Sequence, residues 1–367
     1  MSKVKVAIVG LGFGAEFIPI YQRHPDAELY AICQRNEDSM NEIGDAFGVE
    51  RRFTSFEELL ADHDVDAIHI NSPIAAHGWM SLAALKAGKH AACTVPMATT
   101  VEECLEIAKA SAETGKKYMM METAVYGREF LYAKELVESG KLGKIQFMRG
   151  SHQQNMGLPG WPDYWYGFPP MHYATHAVSP LLSLAKTTAE YVVCHGSGTI
   201  SDEYAAKYNS PFAAETMTMK LRDSDLACEV TRSLFDTIRQ YRESFDVYGT
   251  KISFEWEQIA EEGAVIFSGF EDAERIEIPD FAYLLPDEIA PFTTGGVYDD
   301  EHEHTSFIQG AGHGGSHPHM VHEFVRAIVE DRDAYPNANT SANWTMAGIC
   351  SHTSAMNGGE RIYIPEP

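Results

Sequence analysis

Three glycines near the start of the chain have the spacing that binds a dinucleotide phosphate. An apolar run, Val4–Val9, is rich in β-branched residues and predicts a buried parallel strand. Gly10, Gly12 and Gly14 follow it, and Ala15 completes a G-x-G-x-x-A pattern. In that pattern Gly10 permits a tight turn, Gly12 a close approach to a pyrophosphate, and Ala15 close packing of helix on strand. The order strand, turn, helix favours this interpretation over a glycine-rich turn without a ligand.

The elements around this turn are predicted to alternate between strand and helix up to residue 122. Asn36 and Ser55 are expected helix N-caps, Ser55 with Glu58 in a capping box. The alternation predicts a parallel sheet with right-handed crossovers, and ligands of such sheets bind beyond the carboxyl ends of the strands. The candidate cofactor-binding residues at those ends are Gly10, Gly12, Phe13, Gly14, Ala15, Gln34, Arg35, Asn71, Pro73, Thr94, Pro96 and Glu122.

The end of the second predicted strand leaves the choice between NAD and NADP open. NAD-specific folds usually have Asp or Glu there, whereas this chain has Gln34, Arg35 and Asn36. Arg35 could pair with the 2′-phosphate of NADP. Gln34 and Asn36 could equally hydrogen-bond the hydroxyls of an unmodified ribose.

Composition excludes several classes of partner. The chain has 367 residues, enough for two domains, and 44% are hydrophobic. Its 28 basic and 53 acidic residues give a net charge of −25, which argues against nucleic-acid and anionic-membrane partners. No apolar run approaches the ~20 residues needed to span a bilayer, and no signal peptide precedes the first strand. The six scattered cysteines then indicate buried thiols in a cytoplasmic protein.

The pattern changes after Glu122. A helix at Phe130–Ser139 and a strand at Ile145–Gln154 precede a loop rich in aromatic residues, and residues 190–290 alternate like strands of a mixed sheet. Helices are predicted at Pro318–Val329 and Ala342–Gly358. We therefore predict two domains: an α/β dinucleotide-binding domain over residues 1–123 and an α+β domain over residues 124–367 that binds substrate and oligomerises.

Motifs spread along the whole chain resemble those of the Gfo/Idh/MocA family, named for glucose–fructose oxidoreductase and inositol dehydrogenase. They are Gly10–Ala15, Asn71-Ser72-Pro73 with His77, Ala87–His90, Pro96-Met97, Met121-Glu122 with Tyr126, Gly140–Lys144 and His176. The resemblance implies an N-terminal Rossmann domain and a C-terminal domain with a large open mixed sheet. In the Rossmann domain, His77 would help to bind the cofactor. It also implies a homo-oligomer formed through that sheet, and NAD(P)-dependent oxidation or reduction of a sugar or cyclitol hydroxyl.

Two departures from the family lie where its chemistry is expected. The usual Glu-Lys-Pro is here Thr94-Val95-Pro96, so the lysine that assists proton transfer is missing and Val95 would line the substrate site instead. The usual Asp four residues before the family histidine is here His172. These variants resemble a branch of glycoside-oxidising enzymes, including bacterial enzymes that oxidise the C3 hydroxyl of a glucoside.

Histidine is the natural replacement for the missing lysine, because its unperturbed pKa of about 6.5 lies near working pH. We expect His176 to be the acid/base, with His172 orienting it, binding the substrate hydroxyl or relaying the proton. A helix would place both rings on one face. The alternative is a histidine pair that caps or packs. Tyr126 is another candidate acid and substrate-binding residue, or else an aromatic wall.

A glycine-rich turn with several histidines admits three interpretations. His313 or His317 could reach sugar hydroxyls; a metal could bind the histidines with Glu323; or the turn could simply begin a helix with exposed histidines. No recognised metal-binding spacing occurs, so no metal site is predicted. The histidines of this cluster are His302, His304, His313, His317, His319 and His322.

The aromatic loop around Trp165 is either a sugar-stacking platform or core and interface packing. Glu122 could bind a sugar hydroxyl or pair with Arg128.

Three functions remain open. The first is an NAD(P)-dependent oxidoreductase of a sugar or glycoside. The second is redox-neutral glycoside cleavage through transient oxidation and elimination. The third is a catalytically inactive dinucleotide or sugar sensor, which the loss of lysine would explain.

Overall fold

The computed structural model of the protein describes residues 3–237, 239, 241–294 and 312–367. These residues form two compact units. The first unit comprises Met1–Gly127, Asp280–Ala342 and Pro367, and the second comprises Arg128–Pro279 and Asn343–Glu366. The predicted boundary at residue 123 places residues 280–342 in the second domain, whereas the described parts of this segment, 280–294 and 312–342, belong to the first unit.

A parallel sheet forms the centre of the first unit. Its six strands among the described residues are β1 (Val4–Val9), β2 (Ala27–Cys33), β3 (Arg52–Phe53), β4 (Ala67–Ile70), β5 (His90–Thr94) and β6 (Tyr118–Met121). They lie in the order β3-β2-β1-β4-β5-β6, which is the order of a dinucleotide-binding Rossmann sheet. Because β1 and β4 are adjacent and parallel, the residues that follow them meet at one edge.

Helices connect these strands: α1 (Leu11–Gly14), α2 (Ile18–Arg23), α3 (Glu37–Ala46), α4 (Phe56–Ala61), α5 (His77–Lys86) and α6 (Val101–Thr114). A short 3-10 turn, Ala15–Phe17, separates α1 from α2. The predicted N-caps are confirmed: Asn36 accepts a hydrogen bond from the Ser39 amide, and Ser55 from the Glu58 amide. Both bonds occupy amides that the helix itself leaves unpaired.

The second unit is built on a large mixed sheet. Its nine strands, counted over the part of the chain that the structure describes, are β7 (Ile145–Gln154), β8 (Ala189–Ser197), β9 (Ala214–Leu221), β10 (Ala227–Ser233), β11 (Tyr241–Gly249), β12 (Ser253–Glu255), β13 (Val265–Phe267), β14 (Ala273–Arg275) and β15 (Ile362–Tyr363). Their order is β14-β13-β12-β11-β7-β10-β9-β8-β15, and only the pair of β7 and β10 is parallel among these strands. The predicted fold class, α/β with a second mixed sheet, is thereby confirmed.

Helices cover one face of this second sheet. They include α7 (Arg128–Glu138) and α8 (Thr175–Ala185), whereas α9 (Asp202–Tyr208) lies between β8 and β9 in the chain and contacts the aromatic loop. Along β7, Met148, Gly150 and His152 are buried, whereas the intervening Phe147 and Arg149 are exposed. The alternation shows that the other face of the sheet is open to solvent within this unit.

The chain returns to the first unit through α10 (Gly312–Val329), and α11 (Ala338–Met356) follows. Met320, Val321, Phe324 and Val325 of α10 are fully buried in the same apolar cluster as β1 and α2. Burying each such side chain stabilises the fold by roughly 1.5–3 kcal/mol, which explains why residues 280–342 join the first unit. No helix among the described residues is long and apolar enough to cross a membrane.

Candidate functional site

The glycine turn after β1 has the geometry that a dinucleotide requires. Gly10 has a φ of 83°, and a Cβ there would lie 2.5 Å from the Asn71 carbonyl oxygen, so only glycine fits. A Cβ on Gly12 would meet nothing within 4 Å. The backbone at Gly12 is therefore open to a ligand. The amides at the start of the helical segment favour the binding of a phosphate. Phe13 lies on α1, and Gly14 and Ala15 are buried.

The ends of β4 and β5 are tied together by one histidine. The ring nitrogens of His77 lie 2.7 Å from the carbonyl oxygens of Ser72 and Pro96, and the ring is 1% exposed. Thr94 donates a hydrogen bond to the Ile70 carbonyl. His77 therefore positions the residues that follow β4 and β5. It would support the predicted cofactor site indirectly, through these residues.

Two more predicted cofactor residues lie at those ends. Pro73 is exposed, and Asn71 follows β4 directly with its amide bonded to Val9. The structure thus gathers Gly10, Asn71 and Thr94 at the same edge of the sheet, as predicted. Val95 and Pro96 are buried just beyond β5.

The three residues after β2 differ in what they do. The side-chain oxygen of Gln34 accepts a hydrogen bond from the Leu11 amide at 3.3 Å, so it braces the glycine turn. The side chain of Asn36 caps α3, whereas Arg35 is exposed. Arg35 is therefore the member of this trio that remains best placed to meet a ribose substituent.

Glu122 and Tyr126 have mainly structural contacts. Glu122 is fully buried and accepts a hydrogen bond from the Ala124 amide at the end of β6. The Tyr126 hydroxyl donates to the Tyr335 carbonyl at 2.6 Å, and its ring packs against the apolar cluster of the first unit. Burial, followed by the Glu323 charge, raises the Tyr126 pKa well above its usual value. Of the two predicted roles for Tyr126, the structure favours the aromatic wall.

The glycine-histidine turn that begins α10 brings three polar side chains into contact: His313, His317 and Glu16. His313, Gly314 and Gly315 have left-handed backbone angles, so the regular helix starts only after them. The Nδ1 atom of His313 lies 3.2 Å from Nε2 of His317, and Nδ1 of His317 lies 3.3 Å from a carboxylate oxygen of Glu16.

Glu16 and His317 are both shifted towards their neutral forms. Burial raises the pKa of Glu16 to about 8 and lowers that of His317 well below its usual value. A neutral carboxyl beside a neutral imidazole is therefore a better description of this contact than an ion pair. His317 is 4% exposed, which leaves His313, half-buried, as the member better placed to reach a ligand.

The other residues of that histidine cluster do not converge as a metal site among the described residues. Both carboxylate oxygens of Glu323 bind Arg332, and His322 lies 3.0 Å from His24. His319 is buried and its pKa is lowered by burial to about 4. His302 and His304 lie outside the described residues.

In the second unit, His176 belongs to a compact polar cluster with His152 and Glu243. His152 and Glu243 are direct partners across the antiparallel pair of β7 and β11, so their side chains share one face of the sheet. His176 lies in the first turn of α8, which packs on that face. Potential ligand atoms of the three side chains all lie within 4.8 Å of one another.

Gly150 allows this arrangement. A Cβ on Gly150, two residues before His152 on the same strand, would lie 2.1 Å from the Ala177 carbonyl oxygen. The helix can approach the sheet this closely only because Gly150 has no side chain, and the approach brings His176 to within 4.9 Å of His152, measured between ring centroids.

Three further polar side chains surround this cluster. The Tyr241 hydroxyl donates to Glu243 Oε1 at 2.6 Å, and the Tyr173 hydroxyl lies 3.3 Å from Nε2 of His176. The fully buried Arg232 donates to the carbonyl oxygens of Tyr173 and His152 and to the side chain of Gln154. Burial lowers the pKa of Arg232 to about 9.

His172 lies in a different cluster from His176. The continuous helix that would place both rings on one face is not present: a 3-10 turn, Pro170–Tyr173, precedes α8, and this break separates the directions of the two rings. The rings that His172 contacts are those of Phe168 and His352, and His352 bonds Glu215 at 2.7 Å. Burial and His352 lower the His172 pKa to about 3. The predicted orienting role of His172 therefore has no direct contact to support it.

Trp165 is mainly a packing residue in this structure. It is 6% exposed, and its ring contacts Tyr173 at 4.8 Å and Phe168 at 5.6 Å. Trp161, in the same loop, is 37% exposed and is the better candidate for stacking on a sugar.

Sequence reasoning missed His152 and Glu243. His152 follows Met148 and Gly150 at alternate positions of a correctly predicted strand, so a polar residue on the buried face was a usable signal. Glu243 had no local signal, because only the pairing of β7 with β11 brings it opposite His152.

Comparison with known proteins agrees with these features. The family model described as "Oxidoreductase family, NAD-binding Rossmann fold", Gfo/Idh/MocA, matches residues 4–122. The alpha-N-acetylgalactosaminidase of Shewanella oneidensis is 23% identical over 409 residues, which cover 100% of this chain and 85% of that protein.

Solved structures share the fold over the whole chain. A levoglucosan dehydrogenase in complex with NADH and L-sorbose has a TM-score of 0.82 at 17% identity, with 100% of both chains covered. The apo scyllo-inositol dehydrogenase of Lactobacillus casei has a TM-score of 0.73 at 19% identity, with 99% of this chain and 98% of that chain covered.

Proposed function

Residues 4–122 belong to the Gfo/Idh/MocA oxidoreductase family, whose Rossmann fold binds NAD, and from this premise we propose that the protein is an NAD-dependent oxidoreductase of a sugar or glycoside. The resemblance inferred from the sequence is confirmed for this segment. The observation that carries the proposal is the open approach over Gly12, at the turn where Gly10 admits no side chain. NAD is preferred over NADP because the family is described by NAD binding.

The substrate we propose is a secondary hydroxyl of a sugar or glycoside, with C3 of a glucoside as the first candidate. When bound, the nicotinamide accepts a hydride from the carbinol carbon. The chain must supply a group that takes the hydroxyl proton as the carbonyl forms. Val95 cannot do this, so we assign the acid/base role to His176, whose Nε2 lies beside the Tyr173 hydroxyl and near Glu243.

His152 and Glu243 support His176 in this role. Glu243 Oε1 lies 4.0 Å from Nε2 of His176 and 3.9 Å from Nε2 of His152. A carboxylate at this distance favours positive charge on the rings, and so assists acceptance of the hydroxyl proton. Arg232, which holds the backbone of His152 and Tyr173, is a positioning residue.

A second candidate function is redox-neutral glycoside cleavage. It is favoured by the relative named alpha-N-acetylgalactosaminidase, which covers this whole chain. In that scheme the sugar is oxidised transiently, the acidified neighbouring C–H permits elimination of the aglycone, and the carbonyl is reduced again. Both functions need the same cofactor turn and the same proton acceptor.

The test is incubation with NAD⁺ and a panel of glucosides, galactosides and cyclitols, with mass spectrometry of the products. Net oxidation yields a ketosugar and an equal amount of NADH, whereas redox-neutral cleavage yields free aglycone with no accumulation of NADH. Tight NADH binding without any product from the panel would contradict both and indicate a sensor.

Replacing His176 by Ala should lower kcat by at least about 100-fold, the usual contribution of general acid–base catalysis. Exposed His195, on β8 of the same unit, provides the control substitution to Ala, which should retain activity. Turnover of His176→Ala within a few-fold of the wild type would show that the assigned role is wrong.

A further inference from the structure

The cluster of His152, His176 and Glu243 has the ligand set of a metal site. Two imidazoles and one carboxylate form a combination that zinc uses in catalytic sites, where a fourth position is left for water or substrate. The three side chains come from separate elements, β7, α8 and β11, and converge on the buried side of one sheet. Buried charged groups are usually paired or coordinate a metal.

The distances in the cluster suit a shared cation better than direct hydrogen bonds. Glu243 Oε1 lies 3.9 Å from Nε2 of His152 and 4.0 Å from Nε2 of His176. Hydrogen bonds of this type are usually no longer than about 3.2 Å. Ligand atoms bound to one tetrahedral zinc at about 2.1 Å are roughly 3.4 Å apart, so small side-chain movements would bring these atoms to bonding positions.

We propose that His152, His176 and Glu243 bind a divalent cation, with Zn²⁺ as the best match to two imidazoles and a carboxylate. His152 is 1% exposed and His176 is 4% exposed, whereas the Glu243 side chain is 15% exposed. The cluster is thus enclosed on the histidine side and more open at the carboxylate. That opening is where a fourth ligand would enter.

The surrounding groups support the ligands in the manner of a metal site. The Tyr241 hydroxyl donates to Glu243 Oε1 and fixes the carboxylate, and Gly150 fixes the distance between α8 and β7.

Arg232 is the feature that opposes a cation. Its guanidinium is fully buried, but it donates to the oxygens of Tyr173, His152, Ser233 and Gln154, which spread its charge. These hydrogen bonds reduce the repulsion between the guanidinium and a cation held by the two imidazoles and the carboxylate. Replacing Arg232 by Met should tighten zinc binding if the protein still folds.

This inference rests on the proposed function and sharpens it. With a cation at the cluster, the substrate hydroxyl would bind as the fourth ligand and lose its proton to solvent water more readily, since the cation stabilises the alkoxide. His176 would then act as a ligand of the cation, which takes the place of the acid/base role assigned to it in the proposed function. Hydride transfer is unchanged from the proposed function.

The experiment measures zinc binding before it measures activity. Full-length protein is treated with a chelator, dialysed and titrated with ZnCl₂ by calorimetry, in parallel with His152→Ala, Glu243→Gln and the control His195→Ala. The control matters because the protein's net charge of −25 will attract Zn²⁺ non-specifically. Circular dichroism establishes which variants fold, and Glu243→Gln tests the site if His152→Ala does not.

The wild type and His195→Ala should bind one tight equivalent of Zn²⁺, and the two cluster variants should bind it at least about 100-fold more weakly, since even outer-shell changes cost 10–100-fold. Equal zinc affinity in the wild type and folded cluster variants would overturn the proposal. NAD-dependent turnover by chelated protein, unaffected by added ZnCl₂, would overturn the cation's catalytic role while leaving the proposed function intact. Specific zinc binding without turnover of any sugar would support the metal site and contradict the proposed function.

Discussion

At the scale of single residues, Glu16 is a buried carboxyl group with a strongly raised pKa. It lies on the 3-10 turn after the glycine loop, is 4% exposed, and has a pKa raised by burial to about 8. Its neighbour His317 is also held neutral by burial. Because ionising Glu16 in the folded state is unfavourable, the stability of the first unit should depend on pH.

Glu16 should make the unfolding free energy fall as pH rises. The protonated carboxyl contributes fully to the unfolding free energy below its unfolded pKa of 4.5. That contribution is lost as pH rises through the folded pKa of about 8. Glu16→Gln cannot ionise, so its stability relative to the wild type should increase by a few kcal/mol between pH 5 and pH 9. Urea unfolding across that range measures this difference.

Glu42→Gln is the matched control, because Glu42 is an exposed carboxyl on α3 and its replacement changes the net charge equally. Parallel pH dependence in Glu16→Gln and wild-type protein would mean that Glu16 ionises freely in the folded state.

The residues of the cofactor turn could be read from the sequence because their roles are local. The caps at Asn36 and Ser55 and the glycine spacing depend on neighbours a few positions away, whereas the clash that excludes a side chain at Gly10 is with Asn71, which follows β4. The role of His77 also depends on Pro96, which only the fold brings near. For the same reason the neutral pair of Glu16 and His317 had no signature in the sequence.

At the scale of elements, the approach of α8 to β7 decides the geometry of the histidine cluster. Sequence periodicity predicted β7 with the correct ends and the strand character of β9 and β10, but not that β7 would lie between β10 and β11. Pairing in a sheet depends on contacts distant in sequence, which a single chain read without its fold does not reveal. No helix was predicted at α8, which follows the loop rich in aromatic residues, so the break that separates His172 from His176 could not be placed from the sequence.

Gly150→Ala should damage the second unit at this contact. The added methyl would lie 2.1 Å from the Ala177 carbonyl oxygen, so α8 must move away from the sheet. Overpacking of this kind typically costs about 1–3 kcal/mol. Because His176 moves with α8, kcat should fall together with the unfolding free energy, as measured by steady-state kinetics and urea unfolding.

Gly157→Ala is the matched glycine substitution, since its methyl would meet the Asn155 side-chain oxygen at 3.2 Å and a Phe235 ring carbon at 4.0 Å, with no backbone atom in the way. It should leave both quantities close to those of the wild type. If Gly150→Ala were equally harmless, the close approach of helix to strand would not be needed for the cluster.

At the scale of the whole molecule, the open face of the second sheet is the expected oligomer surface. Phe147 stacks on Tyr248 on that face, and Thr216 and Thr218 of β9, two strands away from β7, are also exposed. The family resemblance implies that such a sheet packs against a copy of itself. We therefore propose a homo-oligomer assembled through this face.

Sedimentation equilibrium should show more than one chain per particle in the wild type, and Thr218→Arg should shift the particle towards the monomer. An arginine there would introduce a long charged side chain where two sheets must pack. Thr353→Arg, at an exposed position of α11, should not change the assembly. A monomeric wild type at micromolar concentration would exclude this mode of association.

The most direct test of the central claim follows the hydrogen of the carbinol carbon. The protein is incubated with NAD⁺ and a reactive glycoside that carries deuterium on that carbon, and the cofactor is analysed by mass spectrometry. The account predicts deuterium at the nicotinamide in the wild type, and almost none with His176→Ala over the same time. Product formation without any deuterium in the cofactor pool, even in single-turnover samples, would contradict it.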